Sequence, residues 1–114
     1  MEVLHERCAG LDVHKNSVSA CVLVPEGREK PTFGATTRQL RKLVDWPEAH
    51  GVTHVAMDST GVYGKPVYNL LEERGFQILL VNAKHIKAVP GRKTDLSDAE
   101  WIAQLLRHRL KLRS

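Results

Sequence analysis

Four aspartates stand where a carboxylate could do chemistry: Asp12, Asp58, Asp95 and Asp98. Asp12 lies near the end of an apolar run, between Leu11 and Val13. An acid there is costly to bury unless something cationic pairs with it. Asp58 closes a second apolar run, just before Ser59-Thr60-Gly61. Ligands of α/β sheets gather at the carboxyl ends of strands. If the two strands are adjacent and parallel, Asp12 and Asp58 end side by side. Asp95 and Asp98 are three apart at a helix start, hence on one face and a single turn apart. Four such carboxylates make an oxygen-rich site for a hard divalent cation, Mg²⁺ or Mn²⁺.

Each acid also has a structural reading. Asp95 and Asp98 suit helix capping and the helix dipole. Asp58 could cap the helix that follows it, and Asp12 could pair with Lys15. His14 lies close to Asp12, within reach of a bound phosphate or a metal-bound water. His5, His50, His54 and His108 read as surface or half-buried side chains, and no Cys/His cluster has zinc spacing. Neither a Gly-x-x-x-x-Gly-Lys loop nor a Gly-x-Gly-x-x-Gly turn is present.

The cations are concentrated near the second acidic pair. Lys84, His85, Lys87, Arg92 and Lys93 precede it, and Arg107, Arg109, Lys111 and Arg113 follow. Residues 84–114 hold eight Lys/Arg against three Asp/Glu, a local balance of +5 on a chain of net charge +4. A solvated cationic face is the plain reading. Contact of Lys84, Lys87, Arg92 and Lys93 with nucleic-acid phosphates beside a metal site is the functional one.

The positioning elements follow from the pattern. Residues 7–13 and 18–24 read as strands joined at His14-Lys15-Asn16-Ser17, with a third strand over 30–35, as an antiparallel meander. Thr36-x-x-Gln39 is a capping box opening a helix with Leu40, Leu43 and Val44 on one face. Pro47 should end or kink it near Trp46. Residues 53–58 form a strand. The next helix carries Tyr63, Val67, Leu70 and Leu71 as its apolar stripe, Pro66 in its first turn and Gly75 at its C-cap. Residues 76–81 are apolar enough for a buried parallel strand. The last helix runs from about Asp95 to Leu110, with Ala99, Ile102, Ala103, Leu106 and Leu110 on one face.

The sum is one α/β domain with a mixed sheet and flanking helices, with right-handed crossovers between its parallel strands. A length of 114 residues, 42% of them apolar and 26% charged, excludes disorder and a fibrous repeat. Only 5% are aromatic, so Val, Leu, Ile and Ala must build the core. No run approaches the length of a membrane span. Cys8 and Cys21 lack metal or redox spacing and read as buried thiols of a cytosolic protein, a cross-strand disulfide being the rarer alternative.

Three segments in order resemble a known family: Gly10-Leu11-Asp12-Val13-His14-Lys15, Asp58-Ser59-Thr60-Gly61-Val62-Tyr63 and Gly91 to Trp101. They look like the N-terminal catalytic domain of DEDD transposases of bacterial insertion sequences, the one-ten/eleven-eleven group, and span nearly the whole chain. The resemblance implies an RNase H-like fold related to the resolvase RuvC. It implies that Asp12, Asp58, Asp95 and Asp98 bind Mg²⁺ (or Mn²⁺) for DNA cleavage and strand transfer in the bacterial cytoplasm. The family's second acid is typically Glu, so Asp58 is one methylene short, and Gly64 stands where a bulky aromatic is common. Family members continue into a C-terminal domain that supplies a nucleophilic serine. Residues 1–114 are therefore expected to be the N-terminal part of a longer transposase. Some members assemble as homo-oligomers and are guided by a structured RNA, a partner suited to the basic C-terminal quarter. The alternatives are a self-sufficient structure-selective nuclease and a non-catalytic nucleic-acid-binding module. An actin-like half-domain ranks last, since Val13-His14-Lys15 offers no phosphate-binding glycine.

Overall fold

The computed structural model describes residues 5–59, 62–82 and 96–108. A mixed sheet lies between helices on both faces. Its strands are β1 (Cys8–Val13), β2 (Ser17–Val24), β3 (Gly27–Glu29), β4 (Thr32–Gly34), β5 (His54–Ser59) and β6 (Gln77–Leu80). The order is β3-β2-β1-β5-β6, with β4 also paired to β2. β1 pairs antiparallel with β2 and parallel with β5, and β6 is parallel to β5. The expected mixed sheet is therefore present. The helices are α1 (Thr37–Ala49), α2 (Gly64–Glu73) and α3 (Asp98–His108).

All six residues of β1 are buried because both its faces are covered. Ala9, Leu11 and Val13 join Leu40, Leu43 and Val44 of α1 and Val67 and Leu71 of α2 in one core. Cys8, with Cys21, Leu23 and Ala56, joins Ala99, Ile102, Ala103, Leu105 and Leu106 of α3 in the other. Alternation along the strand does this sorting, since successive side chains point to opposite faces. Both cysteines are free and buried. Burial pushes the Cys8 thiol up to about 11 and the Cys21 thiol up to about 12, the latter also raised by the Glu100 carboxylate.

Several local expectations hold. Thr36 caps α1, its hydroxyl accepting from the Gln39 N–H at 3.3 Å. Gly75 has φ +81, the left-handed cap position that glycine tolerates. The hairpin closes with His14 N–H donating to the Ser17 carbonyl at 2.9 Å.

Others are corrected. α1 runs on to Ala49 through Pro47, which sits in the final turn, and the Pro47 carbonyl accepts from His50 and Val52. The third strand is two short ones, β3 and β4, divided at Lys30-Pro31. The Pro31 carbonyl still accepts from Ala20 N–H at 3.0 Å. β6 is an edge strand rather than a buried one, and Leu80 is 61% exposed. Tyr63 is no part of the α2 stripe. It precedes the helix and is 40% exposed. The buried face of α3 is wider than read, taking in Glu100, Trp101 and Leu105, while Leu110 lies outside the described residues.

Candidate active site

Asp12 and Asp58 are register partners on the parallel pair β1–β5. Neighbouring strands lie about 4.8 Å apart, so the two residues stand abreast at the carboxyl end of the sheet. Both share the α3 face, two residues beyond Gly10 and Ala56 respectively. Asp12 is buried at 8% exposure and Asp58 is half-buried. The Asp12 carboxylate meets His14 Nε2 at 2.9 Å, and it is this ring rather than Lys15 that it takes as partner.

The orientation of α3 brings a third acid to this end. His5 N–H donates to the Arg107 carbonyl at 3.2 Å, and the Cys8 thiol to the Ala103 carbonyl at 3.6 Å. One turn earlier, Ala99 faces Gly10. A Cβ on Gly10 would lie 2.4 Å from the Ala99 carbonyl oxygen and 2.5 Å from the Ala103 nitrogen. The helix thus runs antiparallel to β1, and its N-terminal end points towards Asp12. Asp98 is its first residue and is half-buried.

The structural readings of the acids fare differently. Ser97 caps α3, its hydroxyl accepting from Glu100 N–H at 3.2 Å, and Asp98 stands in the first turn, where the helix dipole favours an acid. α2 begins at Gly64 after Tyr63, with no side-chain cap, so Asp58 does not cap it. Asp95 and the proposed phosphate-contacting Lys84, Lys87, Arg92 and Lys93 lie outside the described residues. Among the described residues, no three His, Cys, Asp or Glu side chains converge closely enough to hold a metal ion.

Glu100 escapes the sequence reading entirely. It is 1% exposed, with Lys30 Nζ at 3.2 Å from Oε1 and Arg28 at 3.0 Å from Oε2. Oε2 lacks an aligned hydrogen bond, so the Arg28 contact is chiefly Coulombic. This buried ion triad ties the first turn of α3 to β3 and the segment after it. Flanked by Ala99 and Trp101, Glu100 carries no periodicity signal, because its burial depends on where the β3 cations fall.

The DEDD_Tnp_IS110 family, described as transposase, matches residues 9–114. The chain belongs to this transposase family. Similar solved structures agree on its fold. Thermus thermophilus RuvC has a TM-score of 0.66 at 14% identity, over 92% of this chain and 94% of that one. The T. thermophilus RuvC bound to a Holliday junction substrate scores 0.64 at 12% identity, over 94% of each chain. Archaeoglobus fulgidus Pelota scores 0.55 at 14% identity, over 91% of this chain and 31% of that one. No curated protein sequence matches. The fold of this DEDD family member is thus RNase H-like, of the RuvC type. Among its described residues no helix is long and apolar enough to cross a membrane.

Proposed function

We propose that this domain cleaves and transfers DNA strands during transposition, with divalent metal held by Asp12, Asp58, Asp95 and Asp98. The observation that carries the reading is the register pairing of Asp12 with Asp58 at the carboxyl end of the sheet, in a chain of the DEDD transposase family. The donor set fits a hard cation: two carboxylates stand abreast, with Asp98 opening the helix that points towards them. Mg²⁺ or Mn²⁺ bound there would neutralise charge on a phosphodiester and lower the barrier to attack on phosphorus. The His14 ring orients the Asp12 carboxylate from the solvent side. The Glu100 triad and the Gly10 contact hold α3, and with it Asp98, in place. Lys84, Lys87, Arg92 and Lys93 would contact DNA phosphates, or those of a structured guide RNA, in a cytoplasmic homo-oligomeric assembly.

The test combines Mn²⁺ calorimetry with branched DNA and Mg²⁺, for the chain and its Asp12→Asn and Asp58→Asn variants. Metal affinity that collapses in Asp12→Asn supports the reading, and equal affinity contradicts it. Metal-dependent cleavage by the chain alone favours the self-sufficient nuclease. Salt-dependent DNA binding indifferent to every Asp→Asn change favours the non-catalytic module.

A further inference from the structure

A cavity of about 320 Å³ opens at the carboxyl end of β1, under the β1–β2 hairpin and the start of α2. It lies on the α1–α2 face of the sheet, opposite the face of Asp12 and Asp58, and the His14 ring links the two. Its walls include Val13, His14, Lys15, Val62, Tyr63 and Pro66. The size is at the lower end of small-ligand pockets, roughly 300–1,000 Å³. Two of the three large hydrophobic side chains exposed among the described residues, Val62 at 78% and Tyr63 at 40%, line it. The two neighbours leave a small apolar patch open to water at the cavity mouth.

The surroundings narrow the ligand. His14 is shared: its Nε2 meets Asp12 at 2.9 Å, and it also lines the cavity. Lys15, exposed at the hairpin tip, gives the mouth a positive charge. An apolar slot with an aromatic ring, a cation at its edge and, across the His14 ring, the proposed phosphodiester site matches one nucleotide of a strand that rounds the end of the sheet. The base would enter the slot and the backbone would follow the cation.

We propose that this cavity takes an unpaired base of the DNA strand whose phosphate lies at Asp12 and Asp58, with Tyr63 as the stacking ring. This rests on the reading of the carboxylates as a phosphodiester site, and it names the substrate as locally unpaired DNA. Base–aromatic stacking is lost with the ring, which costs about ten-fold in affinity.

Single-stranded oligonucleotides carrying 2-aminopurine, titrated in EDTA, test the stacking separately from metal chemistry. The chain should quench the fluorophore. Tyr63→Phe should keep the quenching, and Tyr63→Leu, which keeps apolar bulk but removes the ring, should lose it with about ten-fold weaker binding. The quenching is read in EDTA and needs no metal, whereas Mn²⁺ calorimetry of the parent chain is a separate measurement, so failure of the carboxylate reading would show in the metal titration alone. Thermal unfolding of Tyr63→Leu, expected at the parent temperature, separates lost stacking from lost fold. Quenching unchanged in Tyr63→Leu overturns the proposal, as does DNA binding without quenching.

Discussion

Gly10 is where the sheet and α3 come closest, and Gly10→Ala tests whether that contact sets the site. The added methyl would sit 2.4 Å from the Ala99 oxygen and 2.5 Å from the Ala103 nitrogen, against 3.4–4 Å for ordinary contact. Both neighbours are backbone, so no rotamer change relieves the clash. The helix must retreat by about 1 Å, away from a core in which Ile102, Ala103 and Leu105 are fully buried. Overpacking of this kind costs about 1–3 kcal/mol. The same retreat carries Asp98 away from Asp12, and loss of such positioning costs metal sites about 10–100-fold in affinity. Urea unfolding and Mn²⁺ calorimetry read the two effects. Gly34→Ala is the control, since its methyl would meet only the Gln39 side chain at 3.4 Å. Gly10→Ala with parental stability and parental Mn²⁺ affinity would refute the claim that this contact positions the helix.

Two further predictions concern buried charge and buried thiols. Arg28 and Lys30 are half-exposed while Glu100 is fully buried, so the two sides of the triad should differ. Glu100→Gln leaves cations that can hydrate and should cost about 1–3 kcal/mol in urea unfolding. Arg28→Ala with Lys30→Ala strands the carboxylate and should cost more, about 3–5 kcal/mol. The reverse ranking would contradict the triad's role. Cys8 and Cys21, raised to about 11 and about 12, should react slowly with a thiol reagent at pH 8. Because folding raises both above the ordinary 9.0, their stabilising contribution is complete below pH 9 and lost as pH rises through 11 to 12. Stability that holds steady through that window would contradict the burial.

Much of this was legible in the sequence. The capping box at Thr36, the hairpin at His14–Ser17 and the strands ending in Asp12 and Asp58 all follow from local pattern. The pairing of those two strands needed the parallel crossover, which alternation of strand and helix already implied. What was hidden depends on position in the sheet. The apolar run of β6 reads as buried, but its place at the edge leaves Leu80 exposed. Tyr63 fits the helical stripe of α2, yet the helix starts one residue later and the ring turns to solvent. Glu100 looks like a surface acid until two cations from the far edge of the sheet close over it. The α3 cap falls on Ser97 rather than on an aspartate, a choice local pattern leaves open because Ser and Asp are both good capping residues.

The central claim is that divalent metal sits at the carboxyl end of β1 and β5. Paramagnetic broadening of amide resonances by Mn²⁺ in the ¹⁵N-labelled chain locates the ion directly. The account predicts broadening centred on residues 12, 58 and 98, and its loss in Asp12→Asn. Broadening centred on other carboxylates, such as Asp45 or Glu72, or unchanged in Asp12→Asn, would contradict it.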